Sequence, residues 1–133
     1  MPERILLADN NPEVLVHVAA TLGSDYEIIA SISDGEAVIA EVERLHPDLI
    51  VLDISIGKVC GIDIARLLRE RGYLGRVVFL SVHEDIEIVR AAIGAGGSAY
   101  VVKSRLSSDL HSAVEAALSD HLFISFPIAG KCK

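Results

Sequence analysis

Five residues spread along the chain have side chains suited to accepting a phosphoryl group: carboxylates at Asp9 and Asp53, an amide at Asn10, a hydroxyl at Ser81 and an amine at Lys103. Asp53 is the candidate nucleophile. A carboxylate approaching phosphate meets like charge, so a hard divalent cation must bridge the two, held by oxygens of Asp9, Asn10 and a loop carbonyl. Magnesium suits such a set and would keep several waters, with manganese as a substitute. Lys103 would bring a mobile positive charge to the phosphate oxygens, and the Ser81 hydroxyl could donate a hydrogen bond to the incoming group. Taken singly, each has a plainer role. Asp53 can cap a loop, Ser81 can serve a turn, and Lys103 can be a solvated lysine. Only their convergence would mark a site.

Convergence depends on the elements that carry them. The run LIVLD at 49–53 reads as a fully buried strand ending on Asp53, where a strand leaves the core and opens into a loop. Similar apolar runs at 4–8, 26–31, 76–81 and 98–102 predict four more strands. Each is followed by residues at helical spacing. Asn11 and Pro12 suit the cap and first position of a helix carrying Val14, Leu15, Val18, Ala19 and Leu22 up to a stop at Gly23. The second helix, 36–45, is expected to turn Ala37, Val38, Ala40 and Leu45 inward before Pro47 ends it. The third, 62–71, offers Ile64, Ala65, Leu67 and Leu68; the fourth starts near Glu84 and Asp85, and the fifth near Ser107, Ser108 and Asp109.

Five uninterrupted βα units predict an α/β, doubly wound, five-stranded parallel sheet with right-handed crossovers and helices on both faces. Ligands bind at the carboxyl ends of strands in such sheets. That edge is where Asp9, Asn10, Asp53, Ser81 and Lys103 would meet.

The chain has 133 residues, which suits one domain with its own core. Hydrophobic residues make up 51%, yet charges interrupt every apolar run before the roughly 20 residues a membrane span needs. The N-terminus lacks the basic start and cleavage site of a secretory signal, so a cytoplasmic location is expected, without membrane attachment. The formal net charge of −7 opposes direct nucleic acid binding by this chain. Cys60 and Cys132 lack metal-ligand spacing and read as free thiols.

From Arg4 to Leu118 the chain resembles the receiver domain of bacterial two-component response regulators. The likeness rests on Asp9-Asn10 at the place of the acidic pair, HPDLIVLD ending at Asp53, Ser81 at the hydroxyl position, and AGGSAYVVK ending at Lys103. Ser81-Val82 and the lack of a proline after Lys103 are similar to receivers joined to a LuxR/NarL-type helix-turn-helix domain. The resemblance implies a flavodoxin-like (βα)5 fold of strand order 2-1-3-4-5 over 1–118, with 119–133 as a C-terminal extension or the start of a linker. It implies phosphorylation of Asp53 by a histidine kinase, with magnesium on Asp9, Asn10, Asp53 and the Ser55 backbone carbonyl. Ser81 and Tyr100 would form a switch pair. Their movement would remodel the face of the fourth helix, fifth strand and fifth helix, the expected surface for a homodimer, and so control an output such as transcription. DNA would be reached only through an effector domain beyond this chain. An enzyme is not implied beyond self-catalysed phosphotransfer and dephosphorylation.

Three departures bear on this reading. Asn10 replaces the second acid of the pair, which predicts weaker metal binding. Gly57 stands where proline is common and would loosen the loop carrying the Ser55 carbonyl. Val82 is larger than usual beside the phosphoryl position. They motivate an alternative, a receiver-like interaction module that no longer uses phosphorylation. A nucleotide enzyme fits less well, because the glycine-rich stretch 94–99 closes a helix rather than opening one. A dehalogenase-like phosphatase would want an acid at position 55, where Ser55 stands.

Overall fold

The computed structural model describes residues 2–125. Its strands are β1 (Arg4–Ala8), β2 (Glu27–Ile32), β3 (Leu49–Asp53), β4 (Arg76–Ser81), β5 (Ala99–Val102) and β6 (Phe123–Ile124). Its helices are α1 (Pro12–Leu22), α2 (Val38–Leu45), α3 (Gly61–Glu70), α4 (Ile86–Gly94) and α5 (Leu106–Leu118). The main sheet is parallel throughout, in the order β2-β1-β3-β4-β5-β6.

The alternation of strand side chains explains the layering. Leu6, Ile50, Leu52, Val77, Phe79 and Tyr100 face one way and pack with α2, α3 and α4. Ile5, Leu7, Leu49, Val51, Val78 and Val101 face the other way and pack with α1 and α5. Burying each aliphatic side chain of β3 contributes about 1.5–3 kcal/mol, enough to hold a strand whose last residue is a buried carboxylate.

The predicted five-strand order is present, and the short strand β6 extends it. The segment after α5 turns back at Asp120 (φ 61) and lays Phe123 and Ile124 beside Ala99 and Tyr100. Alternating aromatic and aliphatic residues suit that half-buried edge. Pro127, Gly130 and Cys132 lie outside the described residues; Cys60 is free and exposed.

Several local expectations shift. Ala40 is exposed and Val42 is buried instead, because a tight three-residue helical turn, Gly35–Ala37, precedes α2 and rotates its apolar stripe. Leu67 is also exposed, since Ile64, Ala65 and Leu68 already fill the inward face of α3. The fifth helix starts at Leu106, directly after a tight turn at Lys103–Arg105, so Asp109 does not cap it. Asp109 is buried and takes the Arg105 guanidinium at 3.0 Å. The loop after Asp53 is not loose. Ser55–Ile56 pairs with Val59–Cys60 as a small antiparallel ribbon, and Gly57 makes its turn at φ 66.

One contact across the α1–α5 side carries a histidine whose pKa is raised. His111 Nε2 lies 2.8 Å from Asp25 Oδ2 and Nδ1 lies 2.7 Å from Glu115 Oε1. The hydrogen bond to Asp25 raises its pKa most; burial opposes this, and Glu115 adds to the rise. A raised histidine pKa means that its stabilisation is complete below the unfolded value of about 6.5 and is lost as pH climbs through the folded value. Because Asp25 is exposed, the effect is small. In an NMR titration the His111 ring is expected to titrate above that unfolded value, and His111→Gln is expected to lose most thermal stability relative to the parent on the acid side. A His111 midpoint at or below the unfolded value contradicts the contact.

Candidate functional site

The site follows from strand register. Ala8 pairs with Leu52, Asp53 with Leu80, and Ser81 with Val102. Parallel strands about 4.8 Å apart therefore deliver Asp9, Asp53, Ser81 and Lys103 in a row along one rim. Asp9, Asp53 and Ser81 are buried, whereas Asn10 and the residue Ser55 are exposed at the mouth.

The two carboxylates are held in the same way. Asp9 Oδ1 accepts the Asn11 N–H at 2.9 Å, and Asp53 Oδ1 accepts the Ser55 N–H at 3.1 Å. Each is a local turn that fixes one oxygen and frees the other. Both Oδ2 atoms then meet the Lys103 ammonium, at 2.9 Å for Asp9 and 3.2 Å for Asp53. The contact to Asp9 is an ion pair without hydrogen-bond alignment, so Asp9 Oδ2 is buried with no hydrogen bond of its own.

Burial raises the Asp53 pKa and the Asp9 charge adds to the rise, while the Ser55 N–H and Lys103 oppose it. Burial alone would lower the Lys103 pKa, but the carboxylates of Asp9 and Asp53 together push it up, so the ammonium stays charged. The result is a crowded pair of acids with one cation between them, an arrangement that favours a further positive charge.

The donor set suits a hard divalent ion. It offers an orphaned buried carboxylate oxygen, a second carboxylate, the Asn10 amide and the Ser55 carbonyl, all oxygen donors. Among the described residues no cluster of three or more His, Cys, Asp or Glu side chains forms, in keeping with an amide at position 10.

Beside the acids, His83 links the two remaining candidates. Its N–H donates to Ser81 Oγ at 3.0 Å, and its carbonyl accepts the Tyr100 hydroxyl at 2.9 Å. The Tyr100 ring is fully buried among core residues of the α4 side. Burial raises its pKa, with Asp85 adding to the rise and the neighbouring Ser81 hydroxyl opposing it. Val82, the next residue along, is exposed.

Two contributors were not apparent in the sequence. A Cβ on Gly61 would lie 2.1 Å from the Asp53 carbonyl oxygen, so only glycine lets α3 start against the acceptor's backbone. His83 acts through its backbone, which no residue type announces. A groove of about 530 Å³ lies at the opposite rim beside Asp48, Tyr73 and Arg76, away from Asp9 and Asp53.

The response regulator receiver domain family model matches residues 5–115. The DNA-binding transcriptional activator EvgA of Escherichia coli K12 is 27% identical over 124 residues, covering 92% of this chain and 61% of the relative. The nitrate/nitrite response regulator protein NarL of the same strain is 32% identical over 126 residues, covering 93% and 58%. The chain thus spans about three fifths of the length of these relatives. Among solved structures, a LuxR-family two-component response regulator from Aurantimonas sp. SI85-9A1 superposes with a TM-score of 0.91 at 26% identity, covering 98% of this chain and 94% of that one. The isolated REC domain of RcsB from Salmonella enterica serovar Typhimurium, in the presence of the phosphomimetic BeF3-, gives 0.88 at 18% identity over 98% of both chains, a likeness of fold alone. No described helix is long and apolar enough to cross a membrane.

A carboxyl pKa raised by burial and a neighbouring acid means that protonation of Asp53 favours the fold. Its destabilising charge is absent below the unfolded value of about 3.9 and is fully felt above the folded value. Asp53→Asn is expected to raise the thermal midpoint at pH 7 and to lose that advantage in acid. An unchanged or lowered midpoint at pH 7 would show that Lys103 fully compensates the pair.

Proposed function

The chain belongs to the response regulator receiver domain family, and from that premise we propose that it is a phosphorylation-dependent switch with Asp53 as phosphoacceptor. The observation that carries the reading is the convergence of Asp53 Oδ2 and Asp9 Oδ2 on Lys103. The Oδ2 atom of Asp53, which lies beside the Lys103 ammonium, attacks phosphorus of a phosphohistidine on a partner kinase. A P–O bond forms as the P–N bond breaks, and the imidazole leaves with the electron pair and takes up a proton. Lys103 stays charged and follows the negative charge as it moves from carboxylate to phosphoryl oxygens.

Asp9, Asn10, Asp53 and the Ser55 carbonyl would hold magnesium, or manganese in its place. The metal's part is to offset repulsion between the acceptor and phosphate. With an amide at Asn10 its affinity is lower than a third acid would give. Asp53 is an acceptor, not a turnover catalyst.

The output follows from His83. A phosphoryl oxygen that accepts the Ser81 O–H would draw the hydroxyl toward it and away from the His83 N–H that it accepts, and the same residue's carbonyl holds Tyr100. Rearrangement therefore passes from the acceptor to the start of α4 and to β5. We assign the chain to a transcriptional regulator that reaches DNA through an effector domain beyond these residues, as the printed names of its relatives suggest for themselves. A homodimer would use the α4, β5 and α5 face. Because β6 occupies the outer edge of β5, a partner there meets Leu122 and α4 in place of a bare strand edge.

Acetyl phosphate with magnesium is expected to add one phosphoryl group to the parent and none to Asp53→Asn by intact mass, with Asn10→Asp needing less magnesium for the same extent. A parent that stays unmodified where a control receiver is modified favours the interaction-module reading. Sedimentation with magnesium and beryllofluoride should shift the chain from monomer toward dimer, and an unchanged monomer removes the dimer from the proposal.

A further inference from the structure

We infer that the strand after α5 is part of the switch: Ser125 is a positioning residue that fixes the end of β5, so docking of residues 123–125 and occupation of the Asp53 site strengthen each other. This rests on the phosphoacceptor reading. Ser125 is fully buried although it follows a two-residue edge strand. Its N–H donates to the Tyr100 carbonyl at 2.9 Å, and its Oγ accepts the Val102 N–H at 3.1 Å. Those are the backbone groups of the proposed switch tyrosine and of the residue just before Lys103. Without the segment, both backbone groups would lose these hydrogen bonds at the edge of the sheet.

Val102 leads directly into the tight turn that starts at Lys103, so the backbone that carries Lys103 is pinned on its strand side by Ser125. One residue earlier, Ile124 pairs with Tyr100 and packs on the core cluster that contains Tyr100 and Val89 of α4. The segment touches β5, α4 and α5 together, the elements whose arrangement is proposed to change.

Linkage makes the coupling reciprocal. If the docked segment favours the arrangement of Lys103 and Tyr100 that receives a phosphoryl group, the phosphoryl group must favour the docked segment.

The test uses the full 133-residue chain and magnesium with beryllofluoride as the probe. Hydrogen exchange is expected to slow at the Ser125 and Val102 amides when the probe binds. Ser125→Ala is expected to weaken the probe by about fivefold or more, within the usual range of coupling, and Ser125→Thr, which keeps the hydroxyl, is expected to restore it. Unchanged exchange at both amides while the probe demonstrably binds overturns the inference and leaves the acceptor reading standing. So does parental affinity in Ser125→Ala. A parent chain that binds no beryllofluoride overturns both. Should Ser125→Ala fail to fold by circular dichroism, the exchange measured on the parent decides.

Discussion

The arrangement turns on two buried carboxylates at the ends of adjacent parallel strands, with one lysine between them. Neither acid would choose to lie beside the other. They are held there because β1 and β3 are packed on both faces by aliphatic side chains, and the register that aligns Ala8 with Leu52 leaves the next residues no alternative. Hydrophobic packing thus maintains an electrostatic conflict at the rim, and Lys103 relieves it in part. Such a site is primed for any species that brings positive charge, or that changes where the negative charge sits.

Geometry keeps that conflict usable. In Asp9 and in Asp53, one carboxylate oxygen is tied to a backbone N–H two residues on, and the other points toward the lysine. The local turns set orientation at little cost, since each also satisfies a loop donor. Gly61 then brings α3 directly against the Asp53 backbone, and Gly57 turns the ribbon that follows. The loop is therefore ordered by glycine at a position where proline is common in the family. Glycine serves there because its positive φ closes a two-stranded turn, with Ile56 buried beneath.

Away from the rim, the same strands carry information outward. His83 is held at both backbone groups by Ser81 and Tyr100, and Tyr100 is in turn paired at its backbone with the segment after α5. Contiguous hydrogen bonds thus join Ser81, His83, Tyr100 and Ser125, with no long lever between them.

What could be read directly was whatever repeats or punctuates. The alternating apolar runs and helix-spaced residues determined five βα units, and strand-end polar residues determined which side chains could share a rim, because the chain direction of every parallel strand is the same. Asn11 was legible as a cap because capping depends on residues a step or two away, and its side chain accepts the expected N–H; Asp85, read only as an acid near the start of α4, turns out to cap it in the same way. Tertiary structure decided the rest. The exposure of Ala40 depends on the tight turn before α2, and the role of Asp109 depends on where the Arg105 guanidinium lies. The pairing of Phe123 and Ile124 depends on a free edge at β5, and the demand for glycine at position 61 depends on an approaching backbone. Sequence periodicity reports the neighbours along an element; it carries no record of which distant atoms arrive beside it.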